Sequence, residues 1–168
     1  IHPHAKKLHG VYHQGTRFIN KLELRINGLR PLLLSSSIKE NNQVLSVDLT
    51  NPAFDDCHLA ENTVHISRSQ FVRNGVFYEE LVLNNYGLTK CSLDISLTFG
   101  SDFKDIFEIR GIERKLQPDK YELIEEDEKL IFDYKGRDEI HRRTVIEFEN
   151  NNYKIRKNCF SFCLELVP

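Results

Sequence analysis

The sequence has no tryptophan and no methionine, and it has only 4 cysteines and 5 prolines among 168 residues. It also has no basic excess, because 23 Lys and Arg residues stand against 25 Asp and Glu residues and give a formal net charge of -2. Proteins that bind nucleic acids use such an excess to neutralise phosphates, so the composition excludes a nucleic-acid partner. No apolar run approaches the roughly 20 residues that a membrane-spanning helix needs, so the sequence also excludes the membrane.

The cysteines lack the spacing of a metal site. Cys57, Cys91, Cys159 and Cys163 include no CxxC pair, which a zinc cage would normally contain. Cys159 and Cys163 would lie about 13 Å apart along a strand, which is too far for a disulfide. We therefore predict reduced thiols, no metal and no cofactor, and a reducing, cytoplasmic location.

The dominant pattern in the chain is an alternation of apolar and polar residues. It recurs over residues 22–26, 45–50, 91–99 and 159–166, where every second side chain is apolar. This period indicates strands with one buried and one solvated face. Turn signals separate the runs: Asn27-Gly28, Asn74-Gly75, Tyr86-Gly87, Lys135-Gly136 and the asparagines at 150–152. The pattern predicts an all-β fold, an antiparallel β-sandwich of about ten or more strands.

We expect one domain over residues 1–168, because the chain has no internal repeat and no linker rich in proline or glycine. It begins Ile-His-Pro-His without an initiator methionine. We interpret it as a trimmed piece of a longer chain. The acidic stretch at 125–128 lies between two apolar runs and is predicted to connect a hairpin.

One segment departs from the strand pattern and predicts a short helical turn near residues 102–109. Asp102, Asp105 and Glu108 are spaced by three, which places them near one side of a helical turn. Such acids suit a charge network within the domain or at an interface with another domain, a site for Ca²⁺ or Mg²⁺, or a glycosidase acid/base pair. The structural interpretation is favoured, because the segment has neither a calcium loop nor an opposing acid. The arginines available as partners are Arg17, Arg68 and Arg110.

Several blocks of the sequence, in this order, resemble a known family. They are residues 10–19, Asn27-Gly28, residues 30–36, Asn51-Pro52, residues 66–68, residues 79–81, Asn85-Tyr86 and residues 102–111. Together they resemble the amino-terminal domain of bacterial glycogen debranching enzymes of the amylo-α-1,6-glucosidase type, over residues from about 8 to 114. Gly15 stands where that family usually has an acidic residue, which argues against a carboxylate role there.

The resemblance implies a β-sandwich without catalytic residues of its own. In the family, glycoside hydrolysis belongs to a following (α/α)₆ domain, which would be the partner of this domain in the same chain. The 168 residues alone are therefore expected to be inactive, although the parent protein would be a glycoside hydrolase.

The alternative is a stand-alone module that binds α-glucan. Glucan-binding surfaces favour exposed aromatic rings against the apolar faces of sugars, and tryptophan is the best of these. The chain lacks tryptophan, which weighs against this alternative. The possible platforms are Tyr12, Tyr78 and Tyr86.

Overall fold

A computed structural model describes residues 8–39, 42–54, 59–112, 122–126, 129–136, 138–149 and 152–168. Within these ranges the chain forms thirteen strands and one short helix. The first eight strands are β1 (Val11–His13), β2 (Thr16–Ile19), β3 (Lys21–Ile26), β4 (Leu32–Ile38), β5 (Val44–Thr50), β6 (Val64–Arg73), β7 (Val76–Asn85) and β8 (Cys91–Gly100). They are followed by α1 (Ile106–Ile109), β9 (Glu122–Glu126), β10 (Lys129–Lys135), β11 (His141–Ile146), β12 (Lys154–Arg156) and β13 (Cys159–Leu166).

The strands form four antiparallel sheets, which confirms the predicted all-β class. Their strand orders are β1-β2, β11-β10-β9, β12-β13-β8-β3 and β4-β5-β6-β7. The predicted helical turn is also confirmed, because α1 falls inside residues 102–109. No helix in the described part of the chain is long and apolar enough to cross a membrane.

The turns follow the chemistry of asparagine and glycine. Asn74 and Gly75 join β6 to β7 with φ of 52° and 77°, a left-handed conformation that favours these residue types. A similar turn joins β1 to β2, where Gln14 and Gly15 have φ of 46° and 77°. That turn was not predicted.

The predicted hairpin at the acidic stretch is confirmed in part, since β9 pairs with β10 from Glu126 onward. Residues 127 and 128 lie outside the described residues.

The chain divides into two compact units. One comprises Ile1–Glu23 and Leu97–Ser161, and the other comprises Leu24–Ser96 and Phe162–Pro168. The single domain over 1–168 stays a prediction. The first unit buries Ile19, Leu22, Leu97, Phe99, Phe103, Leu130, Ile131, Phe132, Ile146 and Phe160. The second unit buries Leu24, Ile26, Leu49, Val64, Ile66, Leu93 and Ile95.

A buried asparagine fixes the start of β6 in the second unit. Asn51 is fully buried, and its Oδ1 accepts the backbone N–H groups of Thr63 at 2.9 Å and Val64 at 2.7 Å. Its Nδ2 donates to the carbonyl oxygens of Pro52 at 3.0 Å and Ala60 at 2.9 Å. Every polar atom of the side chain therefore has a partner, as a buried amide requires.

Strand β4 forms one edge of its sheet and is exposed along all seven residues. Leu33, Leu34 and Ile38 are each more than half exposed. The pairing of β4 with β5 shifts register between Leu33 and Ser35, which marks a bulge at Leu34. The edge therefore carries large apolar side chains in contact with solvent.

Candidate functional site

The helix α1 begins in a capping box formed by two of the predicted acids. The Asp105 carboxylate accepts the backbone N–H groups of Phe107 at 2.8 Å and Glu108 at 2.9 Å. The Glu108 carboxylate accepts the backbone N–H of Asp105 at 3.1 Å. These bonds satisfy backbone donors that the first turn of a helix otherwise leaves without partners. Asp105 and Glu108 thus hold the start of the helix.

The third acid, Asp102, forms an ion pair with Arg17. Arg17 Nε donates to Asp102 Oδ1 at 3.0 Å, and Nη2 donates to Oδ2 at 2.5 Å. The Arg17 side chain is 8% exposed and that of Asp102 is 17% exposed. Arg17 Nη1 also donates to the carbonyl oxygen of His9 at 3.3 Å. Paired hydrogen bonds and burial together make this the strongest type of carboxylate–guanidinium contact.

The backbone brings β2 and the acidic segment side by side. The N–H of Arg17 donates to the carbonyl of Lys104, and the N–H of Ile106 donates to the carbonyl of Gly15, both at 2.9 Å. The absence of a side chain at Gly10 leaves room for the Arg17 side chain, because a Cβ at residue 10 would lie only 2.5 Å from Arg17 Cδ. The turn at Gly15 and the absence of a side chain at Gly10 therefore place the guanidinium against Asp102.

The electrostatics of this pair favour the charged form of Arg17. Burial by itself lowers the pKa of Arg17, but the hydrogen bond and the charge of Asp102 act in the opposite direction, with a smaller contribution from Tyr12. The pKa of Arg17 consequently lies above its ordinary value. A glycosidase general acid must instead hold a proton in a desolvated site. Asp102 instead accepts two hydrogen bonds from Arg17, so this geometry suits a structural role.

Phe103, the residue after Asp102, anchors this segment in the core. It is buried and has φ of 47°, which turns the chain between β8 and α1. Its ring stacks on Tyr134 at a centroid distance of 5.2 Å and meets Phe18 edge-on at 5.6 Å. These aromatic contacts hold the backbone that presents Asp102 and Asp105.

Arg68 lies in a different sheet and pairs with Glu79. Its Nη2 donates to Glu79 Oε2 at 2.9 Å, and Gln70 Nε2 donates to the same oxygen at 2.6 Å. The two charged side chains are 11% and 13% exposed. Arg68 Nε and Glu79 Oε1 are buried without hydrogen-bond partners. The pair is therefore buried, but its hydrogen-bonding groups are only partly satisfied, unlike those of the Arg17–Asp102 pair.

Arg110 ends α1 and has an exposed side chain. Its backbone N–H donates to the carbonyl of Ile106 at 3.1 Å.

The predicted charged residues therefore form three separate contacts. Arg17 pairs with Asp102, Asp105 bonds with Glu108 in the capping box, and Arg68 pairs with Glu79. The role of these residues at an interface with another domain stays a prediction.

The three candidate tyrosines differ in their contacts and in their exposure to solvent. The hydroxyl of Tyr12 donates to the carbonyl of Leu8 at 2.6 Å. Tyr78 stacks on Phe71 at 5.0 Å, so one face of its ring is covered. Tyr86 is the most exposed of the three at 74%, and its ring centroid lies 6.4 Å from that of His65.

The described residues contain no group of three or more His, Cys, Asp or Glu side chains that could hold a metal ion. Of the predicted thiols, Cys91, Cys159 and Cys163 are free, and burial raises the pKa of Cys91. Cys57 lies outside the described residues.

Sequence reasoning missed Glu79 and Asn51 as key polar residues. A signal for Glu79 was available, because the Asn74-Gly75 turn sets a register in which Gln70 lies opposite Glu79. For Asn51 the only signal was the Asn-Pro pair, which marks a turn and does not reveal burial.

The fold and these contacts define an all-β domain in which the described acids near α1 serve its structure. The whole chain, residues 1–168, matches the family model described as the N-terminal domain of (some) glycogen debranching enzymes. The chain therefore belongs to this family, and the match extends beyond the resemblance at residues 8–114. A comparison with curated protein sequences gives no match to the chain.

Proposed function

We propose that the chain is the non-catalytic amino-terminal domain of a bacterial, cytoplasmic glycogen debranching enzyme of the amylo-α-1,6-glucosidase type. In this proposal it packs against an (α/α)₆ glycoside hydrolase domain of the same chain, which cleaves the α-1,6 branches of glycogen-type glucans. Membership of the family supports the assignment to a debranching enzyme.

The exposed edge strand β4 is the observation that carries the proposal of docking. Leu33 and Ile38 project from the same face of the sheet, because their partners Leu49 and Leu45 are separated by an even number of residues. Both are more than half exposed. An exposed apolar edge strand is a typical interaction surface, since it offers both side chains and unpaired backbone groups.

The contacts of the acidic residues near α1 support a non-catalytic role. A glycosidase needs two carboxylates that face each other across a sugar cleft, with one of them protonated. Asp102 instead pairs with Arg17, and Asp105 caps α1. The free thiols of Cys91, Cys159 and Cys163 support a reducing compartment.

The open reading frame beyond residue 168 gives the first test. Several hundred further residues with helical periodicity are expected, and a stop codon directly after residue 168 would contradict the proposal.

The docking surface is tested with the double variant Leu33→Lys plus Ile38→Lys. We expect it to leave the unfolding free energy of the 168-residue chain within about 0.5 kcal/mol of the parent, because both side chains are already solvated. In the longer enzyme it should lower the melting temperature and the rate of glucose release from branched glucan. Leu88→Lys is the control, because Leu88 is exposed outside β4. Equal effects of Leu88→Lys and the double variant in the longer enzyme would contradict docking at β4.

A further inference from the structure

A row of four side chains crosses the outer face of the β4-β5-β6-β7 sheet. Its members are Ser35 on β4, Asp48 on β5, His65 on β6 and Tyr86 just beyond β7, and we call it the cross-strand row. Ser35 lies directly opposite Asp48, and Asp48 lies opposite Ser67, two residues from His65 on the same strand face. Residues far apart in sequence thus converge on one face because the strand register aligns them.

Direct contacts connect the members of the row. Ser35 Oγ donates to Asp48 Oδ2 at 2.8 Å, and His65 Nε2 lies 3.1 Å from Asp48 Oδ1. Because a carboxylate only accepts, His65 Nε2 carries the proton in this contact. The Tyr86 ring continues the row beside the imidazole at a centroid distance of 6.4 Å.

The backbone holds Tyr86 firmly while its ring is exposed. The N–H of Tyr86 donates to the carbonyl of Thr63 at 2.9 Å, and the N–H of Gly87 donates to Asn85 Oδ1 at 2.8 Å. A Cβ at residue 87 would lie 2.7 Å from Thr63 Cγ2, so a larger side chain would disturb this turn. Thr63 is itself held by the buried Asn51. An aromatic ring presented on a fixed backbone loses little conformational freedom when it binds.

We propose that the cross-strand row is a surface binding site for a chain of α-linked glucose. The assignment to α-glucan rests on the proposed function, whereas the assignment to a sugar rests on the side chains. An exposed tyrosine ring packs against the apolar C–H face of a pyranose. The carboxylate, imidazole and serine hydroxyl beside it bind hydroxyl groups as acceptors and donors.

The dimensions of the row suit an extended ligand. It crosses four strands, and neighbouring strands lie about 4.8 Å apart, so the row spans roughly 14 Å. Several linked sugar rings can lie along such a line. The exposed fractions of the Asp48 and His65 side chains are 41% and 28%, so both side chains are partly open to solvent although they already contact each other.

Tyr78 on the same sheet provides the matched control. It occupies the same outer face of β7, but one side of its ring is stacked on Phe71 and it is only 42% exposed. A general role of exposed tyrosines would weaken glucan binding equally when either tyrosine is replaced, whereas the cross-strand row includes Tyr86 and not Tyr78.

The test uses electrophoresis of the purified 168-residue chain in native gels containing glycogen, and calorimetric titration with maltoheptaose. We expect glycogen to retard the parent chain, and Tyr86→Ala to weaken binding of maltoheptaose by about tenfold or more. Asp48→Ala should weaken it by a similar factor, whereas Tyr86→Phe, which keeps the ring, should change it by less than about threefold. Tyr78→Ala should bind like the parent.

The outcomes separate this inference from the proposed function. No binding of the parent to maltoheptaose, or loss of binding in Tyr78→Ala but not in Tyr86→Ala, overturns the site. Docking at β4 would stand in that case, because the β4 variants test it independently. Binding to the β-linked cellohexaose in place of maltoheptaose would overturn the α-glucan assignment and also count against the proposed function.

Discussion

Two buried arginine–carboxylate pairs, one in each compact unit, differ in how completely their hydrogen bonds are satisfied. Arg17 uses two nitrogens on Asp102 and a third on the carbonyl of His9. Arg68 makes one contact to Glu79, and Arg68 Nε and Glu79 Oε1 are left without partners. A buried ion pair offsets the cost of its desolvation only when the remaining hydrogen-bonding groups are satisfied. Similar burial therefore does not imply similar stabilisation.

The largest effect is expected when Asp102 is removed. Asp102→Ala should lower the free energy of unfolding by about 3 to 5 kcal/mol, because it leaves the buried Arg17 uncompensated. Denaturant melts measure this change. The double variant Arg17→Met plus Asp102→Leu should recover much of the loss, since it removes both charges. A loss below about 1 kcal/mol in Asp102→Ala would mean that solvent screens the pair.

A smaller effect is expected three residues further on, where the acid caps a helix. Asp105→Ala should lower the free energy of unfolding by about 1 kcal/mol, the usual worth of an N-cap. Asp105→Ser keeps an oxygen that can accept the same backbone donors, so it should lose only a few tenths of a kcal/mol. If Asp105→Ala were as costly as Asp102→Ala, its carboxylate would be compensating a buried charge as well as capping.

Replacement of both members of the Arg68–Glu79 pair should not lower the free energy of unfolding. Arg68→Met plus Glu79→Leu is expected to leave the unfolding free energy unchanged or to raise it by about 1 kcal/mol, because two unsatisfied polar atoms disappear. The single variant Glu79→Leu is the control and should be destabilised, since it leaves Arg68 alone. A double variant clearly less stable than the parent would show that the pair stabilises the sheet despite its missing partners.

The smallest effect belongs to an exposed pair. Hydrogen bonds from Arg142 and Ile140, opposed by partial desolvation, lower the pKa of Asp138 from 3.8 to about 2. Because the pKa is lowered in the folded state, the stabilisation is present above pH 3.8 and is lost as the pH falls through about 2. An NMR titration of Arg142→Met should show the pKa of Asp138 returning towards 3.8. A pKa unchanged in this variant would assign the shift to the backbone.

Much of the fold follows from local sequence rules. Alternation located β3, β5, β8 and β13 to within a residue or two, because side chains on a half-buried strand must alternate between core and solvent. The Gln14-Gly15 turn was missed because glutamine is not a usual turn residue, although the glycine was a signal.

The candidate sites were less predictable because they depend on contacts distant in sequence. Arg17 and Asp102 are 85 residues apart, and only the backbone bonds between β2 and the segment before α1 bring them together. The spacing of the acids predicts the same role for Asp105 and Asp102. The structure gives them different roles, because Asp105 caps α1 and Asp102 pairs with Arg17. The cross-strand row depends on the register of four strands, which no single segment specifies.

The bulge at Leu34 has a consequence for how the chain behaves in concentrated solution. A regular edge strand offers evenly spaced backbone groups to which another molecule can add a strand, and apolar side chains strengthen that attachment. The register shift between Leu33 and Ser35 interrupts this spacing in the middle of β4. This irregularity makes β4 a poorer template for strand addition by a second copy of the chain.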